Sequence, residues 1–409
     1  MMNPIWLYPL SFLFLFITIK NKRKRLVYTT IVIMYLLSAI SSLYLFYNVP
    51  EFMKKPVYWD AVIYHLIFTF LLLAPVKKID EIKSVSIPRI KNTNFFHLFT
   101  MVVIVLCLMS IKLAWQNIDF AAVFNEANSL RVFERESGTL EAYIRFFGTR
   151  YYSLALVLAF YYILHEPHKK TLIILLFVCS LSSVISGMQV AAREYLIKYI
   201  YLAGVLFLIC KNGISKSWNR RIVIMGSIVA FLGIAMFMFI SISRFGEDSA
   251  LTMDDSTMDS LLRYYGMGFV NFSERFHAFF IPVKAVGSMM FPAFASETMS
   301  AFDQNDSINT NIELNSFSTT LGSWLIDGGG IFAAAVAIVF YLLFRLVIRM
   351  KMSFFKLYFI VMFCDYIFSY PFFFSDVINV TRIISILFVV IFYLYEANIL
   401  KKQLILRNK

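Results

Sequence analysis

Charge is scarce in this chain: Asp, Glu, Lys and Arg together fill only 15% of its 409 positions, too few to clothe a soluble protein of that size. Cysteine is rarer still. The four present, Cys107, Cys179, Cys210 and Cys364, lie in apolar stretches or at their ends, so neither a disulfide framework nor a thiolate metal site is implied. No glycine-rich nucleotide loop interrupts the sequence, which removes the usual means of using ATP or a nucleotide sugar. The alternating ten-residue pattern of an outer-membrane barrel is missing too, and so is any internal repeat of fixed period. Apolar side chains fill the space instead, at 60% of the residues with a mean hydropathy of +0.72. The chain reads as an all-α integral membrane protein embedded in a lipid bilayer.

About 20 apolar residues in a helix cross the hydrocarbon, and eleven stretches approach that length, within a range of ten to twelve. They run over about 5–19, 26–47, 57–75, 95–115, 143–164, 171–188, 195–210, 222–241, 326–346, 354–374 and 377–395. The first could pass for a signal peptide, but its positive charges follow it (Lys20, Lys22, Arg23, Lys24, Arg25), whereas a signal peptide carries them in front. It reads as a retained helix with the N-terminus outside. Of the 38 Lys and Arg, 24 then fall on one side of the membrane and 12 on the other. The positive-inside rule makes the richer side cytoplasmic and puts the C-terminus there. Acidic residues run the other way, 20 of 25 lying outside. The net charge of +13 therefore hides a basic inner face and a net acidic outer one. Nucleic acid is not an expected partner, because the inner lysines are spread thinly over short loops.

Residues 1–409 thus form a single polytopic membrane domain in which two external connections are long, 116–141 and 242–325. A loop of the second kind is too long for a mere connector and is expected to fold over the mouth of the bundle. In it the acidic run Glu247 to Asp259 gives way to LLRYYGMGFVNFSERFHAFF over 261–280. Aromatic and charged residues interleave there as in a helix lying at the membrane interface.

Chemistry is expected on the outside. Nine of the 12 external basic residues are arginine, while the inner 24 comprise 16 lysines and eight arginines. The planar guanidinium fork grips phosphate oxygens in pairs and stays charged beside apolar surroundings. Arg193 and Arg244 sit at the mouths of spans, where a lipid-linked phosphate would meet them. Arg275 follows as a third candidate anion ligand. His277 is the only external histidine of five. It could take a proton from a sugar hydroxyl, and Glu274 is the carboxylate alternative. Asp327, followed by three glycines, needs a partner at the edge of hydrocarbon. The glycines allow backbone or ligand to come close. Asp254, Asp255 and Asp259 form the densest carboxylate group, but without a histidine or fixed turn they read as solvated loop and no metal is expected.

In its layout and in the run Asn315-Ser-Phe317-Ser-Thr319 leading to Gly322 and Asp327-Gly-Gly-Gly330, the chain resembles the Wzy-type O-antigen polymerases, which join oligosaccharide repeat units of bacterial surface polysaccharides. The resemblance implies a glycosyltransferase C-like fold in the inner membrane, with its active site on the periplasmic face. It implies undecaprenyl-pyrophosphate-linked oligosaccharides as donor and acceptor, no cofactor, and compatibility with a partner protein that regulates chain length. The family's functional periplasmic arginines would correspond to Arg193 and Arg244. Three other activities fit the same layout: an O-antigen ligase, a glycosyltransferase using polyprenyl-phosphate sugars, and a flippase for the lipid-linked unit. A flippase usually shows two similar halves and charges within the membrane. Here only Asp365 lies well inside a span.

Overall fold

The computed structural model describes residues 3–20, 24–82, 87–90, 93–118, 144, 147–189, 194–245, 257–281 and 319–371, together with 387, 390, 391 and 394. Every regular element among them is helical: α1 (Leu7–Thr18), α2 (Leu26–Asn48), the single turn α3 (Pro50–Met53), α4 (Trp59–Leu73), α5 (Thr93–Gln116), α6 (Tyr152–His165), α7 (Lys170–Ser180), α8 (Ser182–Met188), α9 (Glu194–Cys210), α10 (Lys216–Phe245), α11 (Thr257–Phe279), α12 (Thr320–Arg349) and α13 (Phe354–Ser369). Ten of the eleven apolar stretches contain a helix, and the eleventh, 377–395, lies almost wholly outside the described residues. Five helical stretches are long and apolar enough to cross a membrane: 26–48, 59–78, 94–116, 170–188 and 320–349. That is compatible with a multi-pass membrane protein.

The chain folds as two compact units. One gathers residues 1–82, 250–349 and 363–380; the other gathers 83–249, 350–362 and 381–409.

In the first unit the helix α11 is the hub, packed on α2, α4 and α12. Its approach to α2 is close because both surfaces are small. Ser38 Oγ donates to the Tyr265 carbonyl at 2.6 Å, and Ser42 Oγ donates to the Gly266 carbonyl. A Cβ on Gly266 would stand 2.5 Å from the backbone of Ser41 and Ser42. Small residues let helix backbones approach in this way where lipid supplies no hydrophobic drive. On the core side, Phe269 stacks on Tyr8 at 4.6 Å and Phe272 meets the ring of the fully buried His65 at 4.6 Å. The stretch expected to be an interfacial helix is thus a helix whose residues 268–273 are all buried. The N-terminus of α2 is closed from a distant loop, where Asp80 accepts from the N–H groups of Val27 and Tyr28 at 3.0 and 2.9 Å.

The helix α12 is not a straight rod. Gly329 adopts φ 81°, ψ −179°, a region that residues with a Cβ scarcely enter, and the chain reverses there. Trp324 and Phe340 would stand roughly 24 Å apart along a straight helix, yet their rings stack at 5.5 Å, and Tyr366 lies against both at 5.9 and 5.2 Å. The first arm is sheathed by protein: each residue from Thr319 to Asp327 is buried. A broken helix at membrane depth is tolerated only under such cover. The reversal is fastened by the Gly330 N–H, which donates to the Phe280 carbonyl at 2.9 Å, and by Tyr64 Oη, which donates to the Gly330 carbonyl.

The second unit packs α6 on α7 and α9, and α5 on α6, α7 and α8. The cysteines of both units, Cys107, Cys179, Cys210 and Cys364, are buried, and none is in a disulfide. Just past α6, Glu166 lies 2.7 Å from Lys169 Nζ and 3.3 Å from Arg89. Burial alone raises its carboxyl, but Lys169 and Arg89 outweigh burial and hold it below the usual carboxylate range. A depressed folded value means that this cluster stabilises the fold above the unfolded carboxylate pKa and loses that contribution as pH falls through the folded one. The melting temperature of Glu166→Gln in detergent is expected to lie below wild type at neutral pH and to converge on it in acid; an equal gap at both ends would refute the linkage.

Glycine substitutions separate the two kinds of packing. Gly329→Ala is expected to cost about 1–3 kcal/mol through its backbone conformation, and Gly266→Ala a similar amount through overlap with α2. Gly226→Ala on α10, with no atom within 4 Å of the new methyl, should leave the melting temperature at or above wild type. Thermal unfolding of the three variants in detergent checks the ordering.

Candidate functional site

The last turns of α11 carry three of the six residues singled out in the sequence, and successive side chains go to different surroundings. At 3.6 residues per turn, Glu274, Arg275 and His277 cannot share one face. Arg275 is fully buried while His277 is exposed, and Glu274 lies between these extremes.

The exposed edge of α11 is gripped by the connection between α2 and α4. Lys55 Nζ donates to Asn271 Oδ1 at 2.8 Å and pairs with Glu274 Oε2 at 3.1 Å. The backbone N–H of Tyr58 donates to the buried Ser273 Oγ at 2.9 Å, and the Tyr58 ring meets the His277 ring at 4.2 Å and 63°. His277 Nε2 lies 3.1 Å from Asp60 Oδ1. About two turns before Asn271, Arg263 pairs with Glu51 at 2.8 Å and lies over the Phe52 ring. The connection is thus stitched along α11 at 263, 271, 273, 274 and 277. A run of only a few residues between two helices could not otherwise hold a fixed course beside α11.

Comparison with protein-family models, with curated proteins and with solved structures finds no match for this chain.

The side chains therefore have to be read for what they can do. Glu274 is tied to Lys55 at 3.1 Å, and its side chain is only 22% exposed. His277 has one ring nitrogen bound to a carboxylate and nearly half of its side chain open to solvent. It is the better placed proton acceptor. Arg275 and Asp327 are both closed off from solvent. Asp327 sits two residues before the reversal at Gly329, on the sheathed arm. The three glycines after it do permit the close approach expected of them, since the Phe280 ring lies where a Cβ on Gly330 would stand.

Arg193 lies outside the described residues. Arg244 is in α10, in the second unit, and its side chain lies outside the described residues, as do Asp254 and Asp255. Among the described residues, no three of His, Cys, Asp and Glu gather as a metal site would require.

Sequence reasoning missed Lys55, Tyr58 and Asp60. Lys55 and Tyr58 occupy an ordinary short connection and Asp60 the first turn of α4, and their partners are 215 to 217 positions away. The one local signal was Asp60 itself, an acid at the start of an apolar helix, a position often filled for helix capping alone.

The Lys55–Glu274 pair, with side chains 14% and 22% exposed, should behave as one element. Lys55→Met and Glu274→Gln are each expected to lower thermal stability, and the double variant to lose less than the sum, with a coupling of about 1 kcal/mol. Strict additivity in detergent melts would show that the pair contributes nothing of its own.

Proposed function

We propose that the protein is a glycosyltransferase that joins undecaprenyl-pyrophosphate-linked oligosaccharide repeat units into O-antigen or a related surface polysaccharide. In this reading the chain has about eleven spans in a glycosyltransferase C-like arrangement, lies in the bacterial inner membrane with its C-terminus in the cytoplasm, and works at the periplasmic face. The observation that carries the reading is the open imidazole of His277, flanked by Glu274, on a helix packed against a broken and sheathed span. A reactive group beside a re-entrant arm is what an enzyme needs when its substrate sits at the membrane surface.

Two lipid-linked chains lie side by side in the outer leaflet. A hydroxyl at the free end of the incoming unit attacks the anomeric carbon that joins the growing chain to its carrier. His277 takes the hydroxyl proton, since its side chain is more open to solvent than that of Glu274. Arg193 and Arg244, which the sequence sets at span mouths, are in this reading the groups that grip the pyrophosphate and offset the charge that develops as undecaprenyl pyrophosphate leaves. Contacts of this kind are worth about 3 kcal/mol each in a transition state. Arg275 and Asp327 contribute fixed charge from within. The activated carrier supplies the energy, so neither nucleotide nor metal has a step to perform.

Strains carrying Arg193→Ala or Arg244→Ala are expected to lose polymer and accumulate single repeat units on their lipopolysaccharide. Full-length polymer in both strains would remove these arginines from the mechanism. Finished polymer left unattached to lipid A core would indicate a ligase.

A further inference from the structure

We propose that Asp60 is the positioning residue of His277: it fixes the tautomer of the imidazole so that Nδ1 is the nitrogen that receives the acceptor sugar's proton. The inference rests on the transfer reading above and adds to it a residue that the sequence did not suggest.

An isolated exposed ion pair would carry little weight, because such pairs contribute about 0–1 kcal/mol and wander among rotamers. This pair is restrained on both sides. Asp60 stands at the first turn of α4, and its Oδ1, the oxygen that meets His277, also accepts the N–H of Ala61 at 2.9 Å. The imidazole is wedged between two rings, Tyr58 at 4.2 Å and Phe276 at 5.4 Å, both edge-on. Tyr58 is itself anchored through its backbone to Ser273, which is fully buried. Both the carboxylate and the ring are held by groups that do not depend on the pair.

The chemistry follows from the hydrogen bond. An ionised carboxylate only accepts, so the nitrogen 3.1 Å from it, Nε2, carries the proton. A neutral imidazole then has its lone pair at Nδ1. In the transfer step the proton of the sugar hydroxyl moves to Nδ1 and the hydroxyl oxygen forms its bond to the anomeric carbon. The bond from that carbon to the pyrophosphate oxygen breaks, and its electron pair leaves with the pyrophosphate. His277 becomes an imidazolium whose charge Asp60 offsets, and it returns the proton to water. With 46% of the His277 side chain and 61% of the Asp60 side chain exposed, a saccharide can reach the ring while the pair stays formed.

The test uses the full-length protein in nanodiscs with purified lipid-linked repeat units. Asp60→Asn is expected to lower kcat at least about tenfold with KM within about twofold, Asp60→Glu to recover part of the loss, and His277→Gln to fall about a hundredfold. The second readout is independent of turnover: nitrogen NMR of ring-labelled histidine, with the His277 signal assigned by its loss in His277→Gln. Wild type should show protonated Nε2 and bare Nδ1 in the neutral ring, and Asp60→Asn a mixture of tautomers. A wild-type kcat in Asp60→Asn, or a wild-type ring protonated at Nδ1, overturns the proposal. If the wild-type protein couples no units, the transfer reading fails, while the ring spectrum still decides whether Asp60 sets the tautomer.

Discussion

The first unit depends on one backbone reversal. At Gly329 the chain enters a region of φ and ψ that is almost closed to residues with a side chain, and a stretch that would pass by composition for a single long span becomes two arms. Reversal in a membrane is costly, because the freed N–H and C=O groups have no water to turn to. The structure answers that cost locally. Phe280, just beyond α11, and Tyr64 of α4 take up the backbone groups of Gly330, and the first arm is buried from Thr319 to Asp327. The position of α11 follows, since its end is hydrogen-bonded to the turn and its middle is pressed onto the serines of α2. Once α11 is fixed, the turns bearing Glu274 and His277 are fixed as well.

Much of the helical layout was legible because one interaction dominates it. Long apolar runs must be helices in lipid, and ten of the eleven runs contain a described helix. The reversal was half legible. Asp327-Gly-Gly-Gly330 stood out as a place where a backbone could come close, but sequence alone could not say that the close approach was to a phenylalanine ring or that the chain turned back. Glycine marks freedom, and which way the freedom is used depends on the neighbours. The packing of α11 was hidden for a related reason. Its charged and aromatic residues match the pattern of a surface helix, and what allows it inside is the smallness of Gly266 and Gly268 against partners far away in the sequence: the α2 backbone, and Pro371 with Thr319.

The candidate site was legible in its residue types and not in its pairs. His277 could be chosen as a proton acceptor by chemistry, since it is the only external histidine of five, and Glu274 as the carboxylate alternative beside it. Their difference could not be foreseen, because it comes from Lys55 and Asp60, which belong to a connection and a helix start with no distinguishing composition. Arg275 offers the opposite case. As an external arginine it counted toward an anion-binding cluster, yet it occupies the inward face of α11, one residue from Glu274 and two from His277. Helical geometry makes that separation unavoidable.

The exposed and buried charges of the first unit therefore perform different tasks. Asp327 and Arg275 are buried, where the field of a charge reaches farther than it would in solvent, and neither is open at the surface to a substrate. The exposed groups can touch one, yet solvent weakens their fields and leaves them free to move unless something else restrains them. Lys55, Tyr58 and Asp60 supply that restraint by holding the short connection and the start of α4 against four positions of α11. A surface residue needs such a frame before its chemistry can be directed, because reactive groups must be held to within about half an ångström of a productive geometry. The frame around His277 is assembled from hydrogen bonds and ring contacts that reach back to the buried part of the helix, so the stiffness of the core is carried to a residue in water.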